Sequence, residues 1–175
     1  YLKTGNLTSF SEQQLVSCDR VDQGCNGGLM DNAFNWVHDH NGLCSETNYP
    51  YQSGSGTNDA CKKTCQVVSK SNIKGFVDVN HTEPALLQAV GQQPVSIAIE
   101  ADGIMFQLYK QGVFTSKCGT NLDHGVLVVG YGTEGDNDYW LVKNSWTSSW
   151  GDNGYIKLAR GISQTGGQCG ILLSA

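Results

Sequence analysis

No stretch of this sequence approaches the roughly 20 consecutive apolar residues needed to cross a bilayer, so no membrane partner is expected. The chain opens on no charged-then-apolar leader. Nothing repeats at a fixed period and no segment is of low complexity. Charged residues make up only 15% of the 175 positions, and the net charge of −5 leaves no basic stripe for nucleic acid. Disorder is excluded as well, because 39% of the residues are hydrophobic. The length allows one sizeable core or two small lobes.

What the chain has in quantity is cysteine, seven in all, and glycine, 22. With so few charges, that combination points to a disulfide framework and an oxidising compartment. The competing reading is zinc. Cys61 and Cys65, in "CKKTC", have a loose ligand spacing, but no second pair follows and no histidine lies close in sequence, so no metal and no cofactor are expected. The odd count leaves one thiol unpaired or one partner absent.

"SEQQLVSC" reads as a short helix with Ser11 as its cap and Gln14 completing a capping box. A second helix is expected from about Leu29 to Asp39, with Leu29, Ala33 and Val37 on one face and "HNG" as its stop. Residues 43–72 read as loop, stapled by cysteines. A third helix should start near Thr82, with Pro84 in its first turn and Gly91 past its end. The pattern then changes. "VSIAIE" alternates with period two, and "GVLVVGYG", "YWLVK" and "GYIKLA" are β runs separated by Gly, Asp and Asn turns. The expected class is α+β, with a helical, disulfide-linked lobe over 1–76, a β-rich lobe over 77–175, and a site in the cleft between.

One histidine stands out. His124 precedes the apolar run Val126, Leu127, Val128, Val129, where the chain should be entering a buried strand. A base needs its tautomer fixed by an acceptor on the far ring nitrogen. Asn144, at the end of another β run, offers an amide oxygen without adding charge, and an indole from the following Trp146 would keep water from that bond. Trp150 lies just beyond. Read singly, each has a bland alternative: a structural histidine at a strand end, and core tryptophans.

Taken in order, "SEQQLVSCD", "GCNGG", "YPY", "QPVSIAIEA", "FQLYKQGVF", "LDHGVLVVGYG", "VKNSWTSSWGDNGYIKLARG" and "CGI" resemble the papain-like cysteine proteases, near the cathepsin L and plant vacuolar branch. The resemblance runs from Tyr1 to Ala175. It implies a papain-like two-lobe fold with an antiparallel, β-barrel-like second lobe, and thiol endopeptidase activity. Catalytic roles fall on His124 and Asn144, with the contact expected through His124 Nδ1 within about 3.5 Å of the amide oxygen. Trp146, Trp150 and Asp123 support them; a turn carboxylate is the plain alternative for Asp123. The family's nucleophile lies in C-G-S-C-W/Y, roughly 130–150 residues before the histidine. Cys18 and Cys25 are too close to His124 for that spacing. The expectation is therefore an N-terminally truncated chain, without the nucleophile or the oxyanion-hole glutamine and inactive by itself. The end also looks clipped after "ILLSA".

The resemblance further implies disulfides Cys18–Cys61, Cys44–Cys65 and Cys118–Cys169, with Cys25 unpaired. Substrate-binding positions would be Gly27, Gly28, Leu29, Met30, Ala98, Leu122, Gly125 and Ser174. Turn residues are the plain alternative for Gly27 and Gly28, with the substrate role favoured for Gly28, and helix core is the alternative for Leu29 and Met30. Asn6 in "NLT" and Asn80 in "NHT" are glycosylation candidates. Polypeptide substrates, a propeptide and cystatin-like inhibitors are the implied partners of a monomer in a lysosome or vacuole, or outside the cell. The rival is a non-catalytic homologue that binds peptides or a partner protein in the same cleft.

Overall fold

The computed structural model describes residues 1–175. The chain divides into two compact units, Tyr1–Val77 and Asp78–Ala175.

In the first unit, helix α1 spans Glu12–Cys18 and helix α2 spans Met30–Asp39. Ser11 caps α1 by accepting the Gln14 N–H. The second half of the expected capping box is not made. The Gln14 amide oxygen takes the Cys44 N–H at 2.8 Å instead. The Ser11 N–H already pairs with the Cys44 carbonyl, so it has no need of a side chain. α2 stops where Asn41 and Gly42 turn to φ 59° and 120°, and the Gly42 N–H reaches back to the Val37 carbonyl.

Few large apolar side chains of this unit are buried; Val37 and Tyr49 are the main ones. Buried amides and covalent staples hold it. Gln13, fully buried, accepts the N–H groups of Gln52 and Ser53 and donates to the hydroxyls of Ser17 and Ser53. Disulfides Cys18–Cys61 and Cys44–Cys65 close the remaining loops, which suits a unit too small for a large apolar core. Cys61 and Cys65 are both consumed there, which removes the zinc reading. Cys25 is a free thiol.

The second unit opens with helix α3, Glu83–Val90, capped by Thr82. It then forms a five-stranded sheet: β1 Val95–Ile99, β2 Val113–Phe114, β3 His124–Glu134, β4 Asn137–Lys143 and β5 Tyr155–Ala159. The order across the sheet is β1-β3-β4-β5-β2. A four-residue helix α4, Ile104–Gln107, lies between β1 and β2. The antiparallel barrel-like expectation needs refining here. β1–β3, β3–β4 and β4–β5 are antiparallel, but β2 joins β5 in parallel, and β1 and β2 are left as open edges.

Period two sets the core. Ile97 and Ile99 of β1, Val128 of β3, Val142 of β4 and Ile156 and Leu158 of β5 are fully buried beside Trp140 and Phe106. The β3 run is not buried as a block. Val126 and Val128 point inward, while Leu127 and Val129 are half-buried on the other face. A bulge between Val128 and Gly130 then shifts the β3–β4 register. Burial of each such side chain contributes roughly 1.5–3 kcal/mol before chain entropy is counted. The disulfide Cys118–Cys169 ties the loop before β3 to the C-terminal segment.

Candidate active site

His124 is the first residue of β3 and pairs with Ile99 of β1. Asn144 is the residue after β4, and its backbone N–H donates to the Gly154 carbonyl at 2.9 Å. Since β3 and β4 are neighbours, the two side chains come together without help from any distant segment. His124 Nε2 lies 2.8 Å from Asn144 Oδ1. The Ser145 N–H donates to the same oxygen at 2.7 Å. A backbone N–H can only donate, so the Ser145 contact marks that atom as the amide oxygen rather than the nitrogen. Nε2 therefore carries the proton, and Nδ1 keeps its lone pair.

This reverses the expected contact through Nδ1. Nothing in the sequence distinguishes the two ring nitrogens. The rotamer is set by the register that places His124 opposite Ile99 and by the indole packed against the ring. Asn144 is buried, and its Nδ2 has no hydrogen-bond partner. The same residue lines a cavity of about 350 Å³ together with Lys143, Ser145 and Thr147.

Trp146 lies against the imidazole, with ring centroids 5.0 Å apart. It is held edge-on by Trp150 at 5.2 Å and by Phe106 at 5.7 Å. Trp150 donates its indole N–H to the Gln107 carbonyl at 2.9 Å. Phe106 and Gln107 belong to α4, which sequence reasoning left without a role, although "FQLYKQGVF" was among the motifs quoted. The apolar spacing around Phe106 was the available signal. Tyr109 completes the cluster beside Trp150. Burial pushes its hydroxyl above the ordinary range, and it donates to the Gly112 carbonyl at 2.6 Å. Asp123 Oδ1 accepts the Ala101 N–H at 2.8 Å, as a turn carboxylate does.

Of the substrate-binding candidates in the second unit, Ala98, Gly125 and Ser174 converge. Ala98 is opposite Gly125 in the β1–β3 register, and its N–H donates to the Ser174 carbonyl at 3.1 Å. Leu122 packs close to Gly170, where an added Cβ would come within 2.7 Å of its side chain. The first-unit candidates are contiguous at the entrance to α2. Gly27 has φ 104° and open space around it. Gly28 has a structural reason of its own, because a Cβ there would collide with the Asp22 carboxyl group. That carboxylate accepts the Leu29 backbone N–H at 3.1 Å and the Asn32 side-chain amide at 2.8 Å at the entrance to α2. Leu29 is 65% exposed, which rules out the helix-core alternative for it, and Met30 is half-buried.

The family described as papain family cysteine protease matches residues 1–175. Vignain of Ricinus communis is 52% identical over 177 residues, covering 99% of this chain and 48% of the relative. Bromelain of Ananas comosus, solved with an inhibitor bound, superposes with a TM-score of 0.91 at 38% identity, over 99% of this chain and 79% of the other. The ragweed pollen cysteine protease Amb a 11, solved as its proform, superposes with a TM-score of 0.91 at 43% identity, over 99% and 52%. The chain spans 37% to 48% of the length of the first curated relatives it matches.

Proposed function

The chain belongs to the papain family of cysteine proteases, and from that premise we propose that its parent protein is a cysteine endopeptidase in which His124 and Asn144 are catalytic residues. The observation that carries this reading is the 2.8 Å bond from His124 Nε2 to Asn144 Oδ1. It leaves Nδ1 as the basic nitrogen, the state a general base must have. The nucleophile is assigned to a cysteine in a segment of the parent preceding Tyr1.

In the proposed cycle that thiol gives its proton to Nδ1. The thiolate attacks the scissile carbonyl, a C–S bond forms, and the carbonyl electron pair moves onto oxygen. Collapse breaks the C–N bond, and the amine leaves with the proton held on Nδ1. Water, deprotonated by the same nitrogen, then attacks the acyl carbon; the C–S bond breaks, the acid leaves, and the thiolate is restored beside the protonated imidazole. The imidazole carries a positive charge from each proton uptake to the release that follows it. Asn144 stabilises it through an oriented dipole, and Trp146 keeps water away from the bond.

The substrate is assigned as a polypeptide with a bulky apolar side chain two residues before the cut. Ala98, Leu122, Gly125 and Ser174 supply small or apolar surface, and the family resemblance gives Gly27, Gly28, Leu29 and Met30 a substrate-binding role as well. No carboxylate stands among them, and a buried arginine without a counter-charge is costly. A propeptide, cystatin-like inhibitors and a vacuolar, lysosomal or extracellular setting belong to the same reading. Asn6 and Asn80 are exposed, as glycan attachment requires. No helix is long and apolar enough to cross a membrane.

The test is turnover of matched fluorogenic peptides carrying Leu or Arg at the second position before the cut, by the parent protein. Leu is expected to be preferred, Ser174→Glu to raise Arg turnover more than Leu turnover, and His124→Ala to abolish both. Turnover that survives His124→Ala overturns the catalytic assignment of His124, and no turnover by the unsubstituted parent favours the peptide-binding homologue.

A further inference from the structure

His124 is reached through residues 118–123, a loop with no secondary structure of its own between β2 and β3. The disulfide Cys118–Cys169 anchors its beginning. The part between Cys118 and His124 is left to other forces, and Asn121 and Asp123 within it are exposed. A loop of that kind ordinarily frays. Here it meets Glu100, the residue directly after β1.

Glu100 Oε1 accepts the Gly119 N–H at 2.5 Å, and Oε2 accepts the Asn121 N–H at 2.6 Å. The Glu100 backbone N–H donates to the Cys169 carbonyl at 2.9 Å. On the next residue, the Ala101 N–H donates to Asp123 Oδ1 at 2.8 Å. On the previous one, the Ile99 carbonyl accepts the Asp123 N–H at 3.0 Å, and Ile99 is the register partner of His124. Residues 99–101 thus grip the loop at Gly119, Asn121 and Asp123 in succession, up to the residue before the imidazole.

We propose that Glu100 is a positioning residue for His124: its carboxylate fixes the approach of the 119–123 segment and thereby the plane in which the imidazole meets Asn144. The proposal rests on the reading of His124 as the catalytic base. Three features single out the carboxylate. It forms no ion pair with Lys, Arg or His, so the two backbone donors are its visible compensation. Each of its oxygens accepts one backbone N–H; hydrogen bonds to a carboxylate are shorter and roughly twice as strong as neutral ones. Gly119 is matched to it, because a Cβ there would come within 2.6 Å of Oε2. The disulfide cannot do this work, since it holds the loop only at Cys118, before the residues that Glu100 binds.

Glutamine at this position is not conservative. Its oxygen satisfies one donor, while its NH2 group faces the other N–H. In the ¹⁵N-labelled chain, Glu100→Gln is expected to speed amide exchange at Gly119 and Asn121 by about tenfold or more. The His124 ring nitrogens should shift from the pattern of a fixed Nε2–H tautomer toward the averaged one, while His38, His40 and His81 stay unmoved. Faster exchange with an unmoved His124 imidazole would overturn the proposal, because a purely structural staple loosens the loop without turning the ring. Unchanged exchange would overturn it too. If Glu100→Gln does not fold, Glu100→Asp keeps the charge and loses one methylene of reach, and it is read by the same two signals. These readouts need no turnover. A shifted imidazole in a chain whose parent cuts no peptide therefore upholds the positioning role and removes only the catalytic reading.

Discussion

Truncating Asn144 to alanine should separate stability from catalysis, and the structure says by how much. The Asn144 amide oxygen accepts two N–H donors, from His124 and Ser145. Such bonds contribute about 0.5–1.5 kcal/mol net each, so about 1–3 kcal/mol is lost with the oxygen. The amide nitrogen of the same side chain is buried and unpartnered. A buried group left without a partner costs about 1–3 kcal/mol, and Asn144→Ala removes that cost. The two contributions nearly cancel. Urea unfolding of the chain, followed by tryptophan fluorescence, should show a change within about 1.5 kcal/mol of zero. In the parent protein the same substitution frees the imidazole to rotate and leaves its charged form without a fixed dipole. kcat is expected to fall by about a hundredfold or more, within the range that general-base catalysis contributes. The reasoning is refuted by the opposite split, a loss above about 3 kcal/mol in stability with kcat near that of the unsubstituted protein. Asn144 would then be a structural amide, and its bond to His124 incidental.

Alkaline pH should weaken the second unit. Burial holds the Tyr109 hydroxyl above its ordinary value, and the hydrogen bond to Glu134 at 2.6 Å does the same for Lys157. In both, the folded state keeps the proton to higher pH than the unfolded chain, so their contribution is full below about pH 10 and is lost as pH climbs through the raised values. Tyr109→Phe should make the alkaline decline shallower; an unchanged slope of stability against pH removes Tyr109 as its source. Replacing Cys118 and Cys169 by alanine opens a closure of 51 residues, which chain entropy values at about 4 kcal/mol. A loss below about 1 kcal/mol in denaturant unfolding would mean that the Glu100 bonds hold the loop without the disulfide.

What the sequence determined by itself is what neighbours along the chain decide. Ser11 and Thr82 cap their helices because the donors they accept lie three residues away. Val95, Ile97 and Ile99 alternate inward because strand geometry has period two, whatever the sheet. His124 and Asn144 were legible as a pair through their place in long motifs, and the three disulfides observed are the pairings the family resemblance implies. Tertiary structure decided everything that depends on a partner far along the chain. Gln14 turned from Ser11 to Cys44 because a strand-like bridge had already satisfied the cap residue. β2 is only two residues long and exists because β5 lies beside it, so no local pattern could announce it. Spacing offers Leu29 as a possible core residue, yet it is the exposed N-cap of α2. The choice of Nε2 over Nδ1 belongs to the same class. Both nitrogens sit on one ring with one sequence context, and only the sheet register, the Trp146 indole and the twice-used oxygen of Asn144 separate them.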